Sequence, residues 1–210
     1  MIKKKKVRGT HLKKVIIYIH GKGGNYLEAE QYKKNCPGFD IYGIDFNDYL
    51  PWIVKNKFVD FYNNVQNKYD QIYILANSIG AYLAMHSLQK CKIKKALFIS
   101  PILDMEQLII DMINWANTSE KELAEKREIQ TDFGETLSWE YLCFVRDNPI
   151  IWNVKTEILY AEHDNLTSRK TVDEFINGHD AHLTVMENGE HWFHTDEQIE
   201  FLNNWMKNVI

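Results

Sequence analysis

Cysteine is scarce. The chain has three cysteines in 210 residues, Cys36, Cys91 and Cys143, and no two of them form a CxxC pair. An odd number without pairing spacing argues against a disulfide framework and a structural zinc site, and suits a reducing, cytoplasmic setting. Proline and glycine are also few, at 4 and 10, which leaves no room for a collagen-like chain or a glycine-rich linker. Long apolar runs are missing. The longest near the start is Val15 to Ile19, well short of the roughly 20 residues a membrane helix needs and of the about 7–15 in a signal-peptide core. No membrane partner is expected.

A strong excess of one charge is missing too: the formal net charge is −4. Its distribution is uneven, because seven basic residues (Lys3, Lys4, Lys5, Lys6, Arg8, Lys13, Lys14) and no acidic one fall in residues 1–14. A basic arm of this kind can touch nucleic acid or acidic lipid. The acidic remainder would repel a polyanion, so a solvated terminus is the expectation and no nucleic-acid partner is inferred.

What is present is a globular composition, 45% hydrophobic and 26% charged, in a chain long enough to bury a full core. Short β-branched runs alternate with amphipathic helical stretches. Strands are expected at 15–19, 39–46, 71–77, 95–100, 157–161 and 182–186. Helices are expected at about 26–35, 51–68, 79–90, 167–178 and 195–209. Near-continuous apolar strands require a sheet covered on both faces. Short strand–helix–strand connections predict an α/β fold, with a doubly wound, mainly parallel sheet of about six strands. The chain, 1–210, is read as one domain.

Residues 102–150 break the alternation, being too many for one crossover helix. Ile102, Met105, Ile109, Met112 and Ile113 make one apolar stripe, Glu120 to Glu128 is a charged helical stretch, and Thr136 to Phe144 begins a third helix that Pro149 ends. A helical lid insertion is the expectation.

Chemistry concentrates in two loops. Ala76-Asn77-Ser78-Ile79-Gly80 joins the third strand to the helix that follows it. A serine at such a turn presents its hydroxyl above the sheet edge, and the positions two before and two after must be small. The helix N-terminus favours negative charge there, and the Ile79 backbone N–H can donate to a developing oxyanion. The same pentapeptide also suits a serine that merely caps the helix. His20-Gly21-Lys22-Gly23-Gly24 follows the first strand. It lacks the spacing of a phosphate loop or a dinucleotide fingerprint, and beside a serine elbow its natural use is the second oxyanion donor, the Lys22 N–H.

A strand ending in HGxGG, a serine elbow, an acid after a later strand and a late histidine together resemble the α/β-hydrolase superfamily, over roughly residues 14–209. Two features depart from the family pattern. Ala76 stands where glycine is commoner, and residues 1–13 leave almost no room for the antiparallel strands that often come first, so a shortened sheet is implied. The family order is Ser, then Asp or Glu, then His. The resemblance therefore points to Ser78 as nucleophile, to Asp164 as the acid with Glu162 as a rival, and to His191 as the base with His194 as second candidate. Asp164 also fits an Asx turn. A metal site from His163, Asp164, His191 and His194 has no HExxH spacing to support it.

The resemblance implies a serine hydrolase acting on a small-molecule acyl substrate, without cofactor or metal. Esterase, thioesterase, lactonase and peptidase chemistry remain open at this point, as does a non-catalytic binding protein on the same fold. Trp115, Phe133, Trp139, Tyr141 and Phe144 are the candidate pocket walls in the insertion, Trp139 and Phe144 foremost, although aromatics at helical spacing also serve as packing. The oligomeric state is not legible.

Overall fold

The computed structural model describes residues 12–210. The basic arm at Lys3 to Arg8 lies outside the described residues, as does nearly all of the segment too short for leading antiparallel strands.

The elements run in the order β1 (Lys14–Ile19), α1 (Ala29–Tyr32), β2 (Phe39–Gly43), α2 (Pro51–Gln66), β3 (Gln71–Asn77), α3 (Ile79–Leu88) and β4 (Lys95–Ile99). The insertion follows as α4 (Met105–Trp115), α5 (Glu120–Lys126), β5 (Glu128–Gln130), β6 (Thr136–Ser138) and α6 (Trp139–Asp147). The chain ends with β7 (Thr156–His163), α7 (Arg169–Gly178), β8 (Ala181–Glu190) and α8 (Asp196–Val209).

Six strands form one sheet in the order β2-β1-β3-β4-β7-β8, with every pairing parallel. The reason is visible in β1. Val15 to Ile19 are all 0% exposed, with Val15, Ile17 and Ile19 facing one cluster and Ile16 and Tyr18 the other. A run apolar on both faces can only lie in a sheet covered on both sides. Burial of each such Val or Ile contributes about 1.5–3 kcal/mol. α2, α3, α7 and the insertion cover the Val15 face, whereas α1 and α8 cover the other through Tyr32, Leu202, Trp205 and Met206. The chain leaves β1 toward β2 on one side and proceeds from β3 toward β4 on the other, so strand order reverses between β1 and β3. Such a reversal opens a crevice at the carboxyl ends of the strands.

Three local expectations need correction. The segment 26–35 is not one helix but a 3-10 turn at Tyr26–Glu28, the four-residue α1, and a second 3-10 turn at Lys33–Asn35. It is pressed onto β2: a Cβ on Gly43 would lie 2.1 Å from the Tyr26 carbonyl oxygen. The second strand ends at Gly43, because Ile44 and Phe46 turn into the core. The insertion is not wholly helical. Arg127 takes φ 70° at the end of α5, and β5 then pairs antiparallel with β6, so Thr136 and Leu137 lie in a strand and not in a helix. The hairpin turn depends on Gly134 at φ 86°. Among the described residues, no helix is long and apolar enough to cross a membrane.

Candidate active site

The crevice at β1 and β3 is where both sequence-marked loops arrive. Ser78 sits between β3 and α3 with φ 50° and ψ −125°, a conformation that costs a non-glycine residue of order 1–3 kcal/mol. The surroundings enforce it. The Ser78 N–H donates to the Ile99 carbonyl at 3.0 Å, and its own carbonyl accepts from Ala81 at 3.0 Å and Ile102 at 3.1 Å. Ala76 is fully buried, and a Cβ on Gly80 would stand 2.6 Å from the carbonyl oxygens of both Ile19 and His20. The small residues at both positions are therefore steric necessities. Ser78 makes no side-chain cap bond to α3, so its hydroxyl is free of the capping role that the pentapeptide alone allowed.

The hydroxyl meets a histidine instead. Ser78 Oγ lies 2.9 Å from His191 Nε2, and His191 Nδ1 lies 2.7 Å from Asp164 Oδ2. A carboxylate accepts only, so Nδ1 carries the proton and Nε2 is left to accept from the serine. The Asp164 side chain is 0% exposed and that of His191 16%. Asp164 does two things at once. Its Oδ1 accepts the N–H groups of Leu166 and Thr167, both at 2.9 Å, while Oδ2 faces the imidazole. The Asx turn and the pairing with histidine use opposite oxygens of one carboxylate.

The rival residues are placed elsewhere. Glu162 accepts the Asn188 N–H at 2.8 Å and so anchors the end of β8 ahead of His191. His194 turns its Nδ1 to the Trp192 carbonyl at 2.7 Å and stacks on the Trp192 ring. Among the described residues, no group of three or more His, Cys, Asp or Glu could hold a metal ion. Burial pushes the Cys36 thiol up to about 11, which removes it as a nucleophile at neutral pH.

The glycine loop after β1 comes against the serine: a Cβ on Gly21 would lie 3.3 Å from Ser78 Cβ. Lys22 is the next residue. Ile79 opens α3, so its N–H has no intrahelical acceptor. His20 is buried behind the loop, with Nδ1 2.8 Å from the Gly21 carbonyl and Nε2 3.1 Å from the Phe46 carbonyl, and its ring stacks on Phe46.

A cavity of ≈430 Å³ opens beside Ser78. Met105, Leu108, Ile109 and Met112 of α4 form one wall, Leu137 and Tyr141 another, and Tyr49 and Trp52 a third. Of the stripe legible in the sequence, Ile102, Met105, Ile109 and Met112 line the cavity and Ile113 is buried in the core, so the stripe is shared between the two. Trp139 and Phe144 do not line the cavity, which corrects the pocket expectation. Trp139 packs against the hydrophobic core, and Phe144, farther along α6, packs on Trp52 and His86. Burial raises the Tyr141 phenol above its ordinary pKa, with Tyr82 and Asp48 adding to the effect. A second cleft of ≈600 Å³, lined by Tyr62, Gln71 and Lys94 among others, lies at the opposite end of β3, away from Ser78.

No protein-family model matches the chain, and no curated protein matches its sequence. Its architecture does have solved counterparts. It is similar to Est1E from Butyrivibrio proteoclasticus at a TM-score of 0.71 and 14% identity, covering 96% of this chain and 88% of that one. It is similar to mouse alpha/beta hydrolase domain-containing protein 10 at 0.70 and 15%, covering 93% and 88%. A third counterpart is XC6422 from Xanthomonas campestris, described as an α/β serine hydrolase without lid, at 0.61 and 12%, covering 94% and 80%. These likenesses, together with the six-stranded parallel sheet, show that the chain has the α/β-hydrolase fold.

Proposed function

We propose that the protein is a serine hydrolase that cleaves a carboxylic ester or related acyl bond of a small molecule through an acyl-enzyme. The observation that carries this reading is the continuous chain Ser78–His191–Asp164, at 2.9 and 2.7 Å, set at the carboxyl ends of parallel strands.

In this reading the Ser78 hydroxyl attacks the substrate carbonyl while His191 Nε2 takes its proton. His191 then gives that proton to the leaving group. Asp164 fixes the tautomer and stabilises the imidazolium. The N–H groups of Lys22 and Ile79 receive the oxyanion, and water repeats the sequence on the acyl-enzyme. Residues 102–150 act as a lid on a single 1–210 domain and supply an apolar acyl pocket through α4. An apolar acyl group is favoured because Met105, Leu108, Ile109 and Met112 offer it apolar surface.

The test is labelling with a fluorophosphonate, the modified residue being located by mass spectrometry, alongside turnover of p-nitrophenyl acyl esters. Label on Ser78, and a loss of at least ~10³-fold in turnover for Ser78→Ala with the fold intact, is the expected result. Residual activity within tenfold of wild type ends the assignment.

A further inference from the structure

We propose that Tyr49 is a positioning residue for the loop that carries Lys22, and that the 102–150 insertion holds Tyr49 in place. The inference rests on the hydrolase reading above and adds that the acyl pocket and the oxyanion site are assembled by the same contacts.

Inside the loop the Gly21 carbonyl meets the Gly24 N–H at 3.1 Å and His20 Nδ1 at 2.8 Å, whereas Gly23 has φ 79° and nothing within 4 Å of where a Cβ would stand. Tyr49 reaches the loop from the cavity side. Its hydroxyl accepts the Gly23 N–H at 3.1 Å and donates to the Gly21 carbonyl at 3.3 Å. One phenol thus bridges the two residues that flank Lys22. Because Gly21 packs against Ser78, a shift of this loop moves the Lys22 N–H relative to the nucleophile.

Tyr49 lies between β2 and α2, in no ladder and no helix. It is held by its ring, edge-on to Phe46 at 5.8 Å, and by the Tyr141 hydroxyl of α6, which donates to the Tyr49 carbonyl at 3.2 Å. Burial keeps the Tyr141 phenol protonated and able to donate. A second link from the insertion is the ion pair between Glu135 and the Lys22 ammonium. Both groups are partly exposed, so this link is the weaker one.

The discriminating variant is Tyr49→Phe, which keeps the ring and removes the hydroxyl. If Tyr49 serves only as cavity wall, this variant behaves as wild type. If it positions the loop, kcat for p-nitrophenyl butyrate falls about 10- to 100-fold with KM nearly unchanged. Affinity for a trifluoromethyl ketone falls by a similar factor, because the hemiketal oxyanion formed by Ser78 needs the same donor. The pH profile keeps its shape, since His191 is untouched. Tyr141→Phe should show a smaller loss of the same kind, and the double variant should lose little beyond Tyr49→Phe. A reactive wild type with Tyr49→Phe within twofold in kcat, or a loss confined to KM with unchanged ketone affinity, overturns the Tyr49 inference alone. A wild-type Ser78 inert to both ester and fluorophosphonate overturns the hydrolase reading and this inference with it.

Discussion

At the scale of single residues, the hydrolase reading turns on which polar groups after β7 and β8 meet Ser78. Two histidines stand within four positions, but only His191 touches Ser78; His194 is turned to the Trp192 carbonyl. His191→Ala should therefore lose about as much turnover as Ser78→Ala, since the two act as a unit, and His194→Ala should lose far less. Steady-state kinetics on the two variants settles the order, and the reverse order would make His194 the base. The rate should also fall in acid, because a protonated imidazole cannot accept the serine proton. The sequence placed Ser78 and Gly80 sharply, because strand, turn and helix signals converge on five residues. Spacing alone could not separate Asp164 from Glu162, which are two apart at the end of β7. The choice turns on which carboxylate is aimed at the imidazole, and that depends on the Asx turn at Leu166 and Thr167. Tyr49 was not legible at all, because its role comes from a hydroxyl that reaches back across the chain to Gly21 and Gly23.

At the scale of elements, the strands were read well because each is a continuous apolar run in a sheet buried on both faces. The helices were read well where one face is apolar. The segment 26–35 failed because close approach to β2 dictates its form, and the β5–β6 hairpin failed because its three-residue strands are too short to show a period. α3 is the most confined element, with every residue from Gly80 to Leu88 buried. Gly80→Ala should destabilise by about 1–3 kcal/mol or more, because the new methyl meets two backbone carbonyls that cannot step aside. Urea unfolding measures this, and an unchanged midpoint would show that the elbow has slack. His86 on the same helix gives a pH-dependent prediction. Burial, and secondarily Lys55, lowers its pKa from the ordinary value. The unfolded chain binds that proton near pH ~6.5 while the folded chain does not. Between the folded and unfolded values the unfolded state holds more protons, so stability is lost as pH falls through that window and is full above it. His86→Gln should shrink the difference in unfolding free energy between about pH 7.5 and about pH 5. An undiminished difference would assign the acid sensitivity to other groups.

At the scale of the whole molecule, residues 102–150 are tied to one another and to the loops around the cavity beside Ser78. Arg146 of α6 pairs with Glu106 of α4 at 2.6 Å and with Glu120 of α5 at 2.7 Å, joining the three helices. The hairpin reaches Lys22 through Glu135, and α6 reaches Tyr49 through Tyr141. That more than one crossover helix lies between β4 and β7 was legible from the chain length between those strands. Which side chains of residues 102–150 face the cavity was not, since helical spacing gives a face but not its neighbour. Of the aromatic residues in the insertion, Tyr141 lines the cavity and Trp139 and Phe144 do not, while Met105, Leu108, Ile109 and Met112 build the wall on α4. The two possibilities make opposite demands on variants. Met112→Trp narrows the cavity, so p-nitrophenyl esters should shift toward shorter acyl chains, with activity on the acetate ester kept within a few-fold. Trp139→Ala removes packing from the core side and should lower the unfolding free energy by up to about 3 kcal/mol while leaving the chain-length preference where it was. Measuring melting and an ester series from acetate to decanoate on both variants separates wall from packing. A preference that moves in Trp139→Ala and stays fixed in Met112→Trp would place the acyl group against Trp139 and not in the cavity described.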